Sequence, residues 1–177
     1  MEKKTAAEYD RLPEGAPFQL IEGEFVMNPP PNFFHQQRVT RIANKLFNFV
    51  DQRKLGDVVV SPVDVYLSDT DVYQPDVVFI AKDRLESVLV DGRIKAAPDL
   101  VVEVLAPSTG YYDLSHKKNM YESSGVKEYW IVYPEEETVE VLENRGGAFH
   151  QIARVKRHGS VPSKLLEGFL LTLDDVF

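Results

Sequence analysis

The chain has 177 residues, with 28 acidic against 20 basic side chains and a formal charge of −8. It contains no cysteine, which excludes disulfide frameworks, thiol nucleophiles and thiolate zinc sites. The acidic balance excludes a protein that coats nucleic acid tightly and non-specifically, because such binding is driven by counterions released as cations meet phosphates. A hydrophobic content of 44% with 27% charged residues fits an ordinary globular protein, and one domain over residues 1–177 is the economical reading. The apolar runs are strand-sized, far below the roughly 20 residues that cross a bilayer. No apolar run follows Met1-Glu2-Lys3-Lys4, so the expectation is a cytoplasmic protein that makes no membrane contact.

Thr5-Ala-Ala-Glu8 fits a capping box and predicts a short helix from Ala6 to about Leu12, ended by Pro13 and Gly15. Phe18 to Met27 alternates apolar and polar residues and reads as a strand, with a turn possible at Gly23. Three prolines at 29–31 mark a loop. From Phe33 to Lys54 the period becomes helical, with His35, Val39, Ile42, Ala43, Leu46 and Val50 on one stripe. That helix carries five basic residues against Asp51, a local charge of +4, and Gly56 is a plausible cap.

Strands are then expected over Val58–Leu67, with Pro62 making it irregular, over Asp76–Ile80 and over Leu100–Leu105. Lys82–Leu89 is weakly helical, and Tyr112–Ser124 is a helix stopped by Gly125. Glu128–Tyr133, Thr138–Glu143 and Phe149–Val155 read as a meander, and Leu165–Phe177 closes the domain with apolar residues. Strands interleaved with helices predict an α/β fold with a central mixed sheet flanked by helices.

Two carboxylates stand inside apolar strands. Glu103 lies in Leu-Val-Val-Glu-Val-Leu, and Asp76 immediately precedes Val-Val-Phe-Ile. Burying an ionised carboxylate is costly unless a cation compensates it, so either these side chains escape to solvent or they share a cation. Two such residues on successive strands suit a hard cation, Mg²⁺ or Mn²⁺, whereas the four histidines lack the paired spacing of a zinc site. Asp99 follows Pro98 at a strand start, where a solvated or turn role is expected. On the helix before Gly125, Asp113, Lys117 and Tyr121 recur at fourth positions and share a face. Either they form an exposed ion pair beside a core tyrosine, or Lys117 points at the carboxylates. Ser108-Thr109 reads as a cap for that helix, and Tyr129-Trp130 as sheet packing in preference to base stacking.

Phe18-Gln-Leu-Ile-Glu-Gly-Glu-Phe-Val, Gln74-Pro-Asp-Val-Val-Phe, Ala97-Pro-Asp-Leu-Val-Val-Glu-Val-Leu-Ala-Pro-Ser-Thr109 and Gly125-Val-Lys-Glu-Tyr-Trp-Ile-Val resemble, in order, the bacterial Uma family of endonucleases. That family is a branch of the restriction-endonuclease-like PD-(D/E)XK superfamily. The resemblance implies a restriction-endonuclease-like fold and a Mg²⁺- or Mn²⁺-dependent hydrolase cutting phosphodiester bonds, with DNA as the expected substrate. It makes Asp76 the motif aspartate, Glu103 the motif glutamate and Lys117 the lysine, with the carbonyl of Val104 as a further metal ligand and Glu24 as an additional acidic residue near the site. One departure is clear: the superfamily lysine usually stands two residues after the acidic ligand, where this chain has Leu105. His35 either faces the site or is a satisfied core histidine. A homodimer is expected, since it would place one site on each strand. The competing readings are a non-catalytic binding module of the same fold, and a nuclease acting on RNA or another phosphodiester.

Overall fold

The computed structural model describes residues 3–13, 15–106 and 110–177 and, over 110–113, the backbone alone. Thr5 caps α1 (Ala6–Tyr9) through the expected reciprocal bonds with Glu8. The alternating run beyond it is a hairpin, β1 (Phe18–Ile21) and β2 (Glu24–Met27). Glu22 and Gly23 both take positive φ, 51° and 81°, which is the backbone a two-residue hairpin turn requires. Asn32 caps α2 (Phe33–Arg53), whose buried residues are the expected stripe from Val39 to Val50. The helix ends on Lys54 in the left-handed conformation, φ 56°, so Lys54 takes the capping position expected of Gly56. Gly56 is needed for a different reason: a Cβ there would lie 2.0 Å from the carbonyl oxygen of Ile80.

The strand expected over Val58–Leu67 is two strands, β3 (Gly56–Val60) and β4 (Val65–Ser68), and they belong to different sheets. Pro62 has no N–H for a ladder, and the N–H of Ser61 donates to the carbonyl of Asp76, so pairing stops there. β5 (Asp71–Tyr73) and β6 (Val77–Ala81) follow, then a 3₁₀ turn over Lys82–Arg84 and α3 (Leu85–Val88). A small hairpin, β7 (Leu89–Val90) and β8 (Arg93–Ile94), precedes β9 (Leu100–Val104) and α4 (Gly110–Ser124). The meander is β10 (Glu128–Tyr133), β11 (Thr138–Arg145) and β12 (Ala148–Lys156), and the chain closes with β13 (Ser160–Pro162) and β14 (Leu170–Thr172).

Among the described residues the strands form two six-stranded mixed sheets and a two-stranded one. The central sheet has the order β12-β11-β10-β9-β6-β3, and the second has the order β2-β1-β5-β4-β8-β7. One face of the central sheet packs against α2 and the C-terminal apolar segment, through Val77, Val102, Val104, Trp130, Leu166 and Leu173. The other face buries Val78, Val101, Tyr129 and Ile131 with Tyr121 of α4 and with Val65 and Tyr73 of the second sheet. The meander and the apolar close are therefore as read from the sequence, and β9 lies at the middle of the fold between two covered faces.

Asp99 departs from expectation. It is fully buried at the start of β9, where Arg84 Nη1 (3.0 Å) and Lys127 Nζ (2.8 Å) meet its Oδ1 and the Ala81 N–H donates to Oδ2 (2.8 Å). Burial raises its pKa, but the hydrogen bonds from Ala81, Lys127 and Arg84 outweigh that, and the net shift is below the ordinary aspartate value. The compensating cations come from distant segments, which no local window shows.

Candidate active site

β9 runs antiparallel to β6, with Val77 opposite Val102, so one further step along both strands sets Asp76 against Glu103. The contact is tight: Asp76 Oδ2 accepts the Val104 N–H at 2.7 Å. Asp76 itself stands just before β6, where Pro75 ends the preceding segment. Alternation along β9 sends Glu103 towards the face covered by α4 and Val104 towards the face covered by α2.

α4 supplies the compensating charge. Lys117 and Tyr121 are four residues apart, so both fall on the side of the helix that meets β9. Lys117 Nζ lies 3.1 Å and 3.2 Å from the two carboxylate oxygens of Glu103, and the Tyr121 hydroxyl donates to Oε1 at 2.6 Å. All three residues are buried. The bridge that sequence spacing left open is thus made across the fold, while Asp113, like Ser108 and Thr109, lies outside the residues whose side chains are described.

His35 reaches the same strand end from α2. Its Nε2 is 2.8 Å from the carbonyl oxygen of Val104 and 3.5 Å from Asp76 Oδ2, so Nε2 carries the proton. Burial opposes charging of this imidazole, but Asp76 beside it, with help from the Val104 carbonyl, shifts its pKa above the ordinary histidine value. The histidine faces the site.

Glu103 is under the opposite pressure. Burial pushes its carboxyl up, Lys117 pulls it down, and the neighbouring Asp76 carboxylate adds to the rise, leaving it at about 7. Burial and Glu103 together hold the Tyr121 hydroxyl well above its usual range, so it stays a donor.

Asp76, Glu103, Val104, Lys117 and His35 all line one cavity of about 1140 Å³. Glu24 lines it too, from β2 of the second sheet, where it is exposed and makes no side-chain hydrogen bond among the described residues. Asp64 accepts from Tyr9 and Gln74 at 2.9 Å and stays outside the cluster. Tyr129 and Trp130 are buried in the central sheet, as expected of packing residues.

The donor chemistry suits a hard dication: two carboxylates and a carbonyl, all oxygen, gathered where a charged neighbour already raises the pKa of one of them. No three histidine, aspartate or glutamate side chains among the described residues are placed to hold one ion together, so much of such an ion's shell would be water. Sequence reasoning did not assign Tyr121 and left His35 open. The fourth-residue spacing from Lys117 was the signal for Tyr121; nothing local identified the contact of His35 with Val104, 69 residues away.

A family model described as "Putative restriction endonuclease", Uma2, matches residues 6–174. A solved structure from Anabaena variabilis ATCC 29413, described as a putative nuclease belonging to DUF820, superposes with a TM-score of 0.83 at 20% identity. The match covers 98% of this chain and 97% of that one, and it shows a shared α/β fold. No curated protein matches the chain. No helix among the described residues is long and apolar enough to cross a membrane. With its model matched over residues 6–174, on a fold that sets Asp76, Glu103 and Lys117 around one cavity, the chain belongs to the Uma2 family.

Proposed function

We propose that the chain is a metal-dependent endonuclease that hydrolyses phosphodiester bonds, with DNA as its substrate. The observation that carries this reading is the placement of Asp76 opposite Glu103 on adjacent strands, with Lys117 Nζ 3.1 Å from the glutamate, in one cavity. The family description and the nuclease fold neighbour support it.

Asp76, Glu103 and the Val104 carbonyl would hold Mg²⁺ or Mn²⁺. When bound, the ion would lower the pKa of a coordinated water and neutralise charge on the phosphate. The protein's own groups do the rest. Asp76 is fixed by the Val104 N–H, so its free oxygen edge has one orientation. Tyr121 and Lys117 hold the Glu103 carboxylate from the α4 side. The ammonium of Lys117 then stands beside the place where charge develops on the phosphate, at a buried position where it is worth more than in water. His35 stands beside Asp76 on the α2 side, where that carboxylate favours the charged form of the imidazole and the Val104 carbonyl accepts from it. Glu24 lines the same cavity from β2 and would support the water shell.

The reading includes one domain over residues 1–177 and a homodimer, which light scattering at twice the chain mass would check. Cleavage of DNA by the purified chain in Mg²⁺ or Mn²⁺ tests the function. Loss of cleavage in Asp76→Asn, Glu103→Gln and Lys117→Met is expected, and cleavage unchanged by all three would overturn the assignment.

A further inference from the structure

We propose that the nucleic acid entering this cavity is an unpaired strand, with one base stacked on Phe34 and the adjoining phosphate met by Arg38. The inference rests on the nuclease reading and names the substrate class of the same site.

The first observation is an exposed apolar wall beside the reacting groups. Phe34 is 64% exposed and Met27 64%, and both line the cavity with Val26. Apolar surface left open next to the Asp76 and Glu103 carboxylates fits a ligand that brings its own apolar faces. A base does so whatever its identity, because every base has a π-face. Phe33, 72% exposed, packs edge-on against Phe34 with ring centroids 5.6 Å apart at 81°, which holds the Phe34 ring in place.

The second observation is a cation at the spacing a nucleotide needs. Arg38 is one helical turn beyond Phe34, and its Nη1 donates to the Phe34 carbonyl at 3.0 Å. Arg38 lines the cavity too, and the bond to Phe34 uses one of its five N–H donors. The donors left on a guanidinium suit the oxygens of a phosphate. A ring with an arginine behind it, repeated as base and phosphate, is how unpaired strands are held. Phe34, His35 and Arg38 line the same cavity as Asp76 and Glu103, and His35 touches Asp76 and Val104, so a strand stacked on Phe34 enters beside the carboxylates.

The third is size. A volume of about 1140 Å³ is close to that of pockets for small ligands, and a duplex offers such a pocket a base only after extrusion from the stack. A strand already unpaired avoids that cost. Tyr129 and Trp130, the other stacking candidates, are buried and unavailable to a base.

Fluorescence anisotropy of the full chain with a labelled oligothymidine and with a blunt duplex, in Ca²⁺ at low salt, tests the proposal. The single strand is expected to bind at least about tenfold more tightly, and Phe34→Ala to weaken it roughly 5- to 100-fold. Phe34→Trp should restore the affinity, and Arg38→Gln should lower the salt slope by about one. The melting temperature of Phe34→Ala should match the wild type, because the ring is exposed. Equal or tighter binding of the duplex, or no effect of Phe34→Ala, would overturn the proposal. So would a dimer that Phe34→Ala dissociates with oligothymidine affinity unchanged, which would make the apolar wall a contact between copies. Cleavage is scored separately. Metal-dependent cutting of duplex and single strand at equal rates would keep the nuclease and reject the unpaired strand. Phe34-dependent binding without cleavage in any metal would do the reverse.

Discussion

Lys117 Nζ lies 3.1 Å and 3.2 Å from the two carboxylate oxygens of Glu103, both side chains nearly sealed from water, though one comes from α4 and the other from β9. A buried pair of this kind is expensive to break from one side, since the survivor is left charged without a partner. Lys117→Met should therefore cost about 3–5 kcal/mol in chemical denaturation. Lys117→Met combined with Glu103→Gln should recover much of that loss, because neither charge then remains buried. Urea melts of the two variants check this, and equal losses would show that the pair is not coupled.

Tyr121→Phe removes the 2.6 Å hydrogen bond to Glu103 without changing the shape of the core. A bond to a charged group is worth about 1.5–3 kcal/mol. Because that bond lowers the pKa of Glu103, its loss should move the carboxyl further upward. Mn²⁺ affinity measured against pH should then require a higher pH in the variant. A packing role alone would change stability and leave that profile in place.

Glu103 itself sets the wild-type profile. Burial first, with Asp76 adding and Lys117 opposing, raises its pKa from 4.5 to about 7. The folded state thus holds this proton more tightly than the unfolded chain, so the group's contribution to stability falls as pH rises between about 4.5 and 7. A cation must displace the same proton. Mn²⁺ binding should tighten as pH rises from about 6 to 8 and release protons, seen by calorimetry in buffers of different ionisation enthalpy.

Asp99 has the opposite sign. Its pKa is lowered from 3.8, so the unfolded chain takes up the proton first. The stability it contributes is complete above the unfolded value and is lost as pH falls below it, through the folded pKa. Asp99→Asn, which keeps the volume but removes the charge that the partly exposed Arg84 and Lys127 meet, should destabilise by about 1–3 kcal/mol at neutral pH. The gap between variant and wild type should narrow in acid unfolding curves below pH 3.8.

The capping box at Thr5, the α2 stripe, the meander and the apolar close were legible in the sequence because each is written in a local period or a short-range bond. Asp76 and Glu103 were legible because a carboxylate in an apolar strand contradicts its neighbours. Contacts between distant segments were not. Nothing near Asp99 announced Arg84, 15 residues before it, or Lys127, 28 after it. The split of Val58–Leu67 between two sheets was only hinted at by Pro62, since the strand propensity continues on both sides of it. Which open side chains share a cavity with the carboxylates, Phe34 and Met27 among them, depends on how β2 and α2 dock and carries no sequence period.

The most direct test of the site is cleavage of labelled DNA in Mn²⁺ by wild type and Glu103→Gln side by side, with circular dichroism confirming that both fold. Metal-dependent cutting by the wild type, reduced at least about 100-fold in Glu103→Gln, is the expected result. Cutting by Glu103→Gln at the wild-type rate, or by neither protein in any divalent metal, would contradict it.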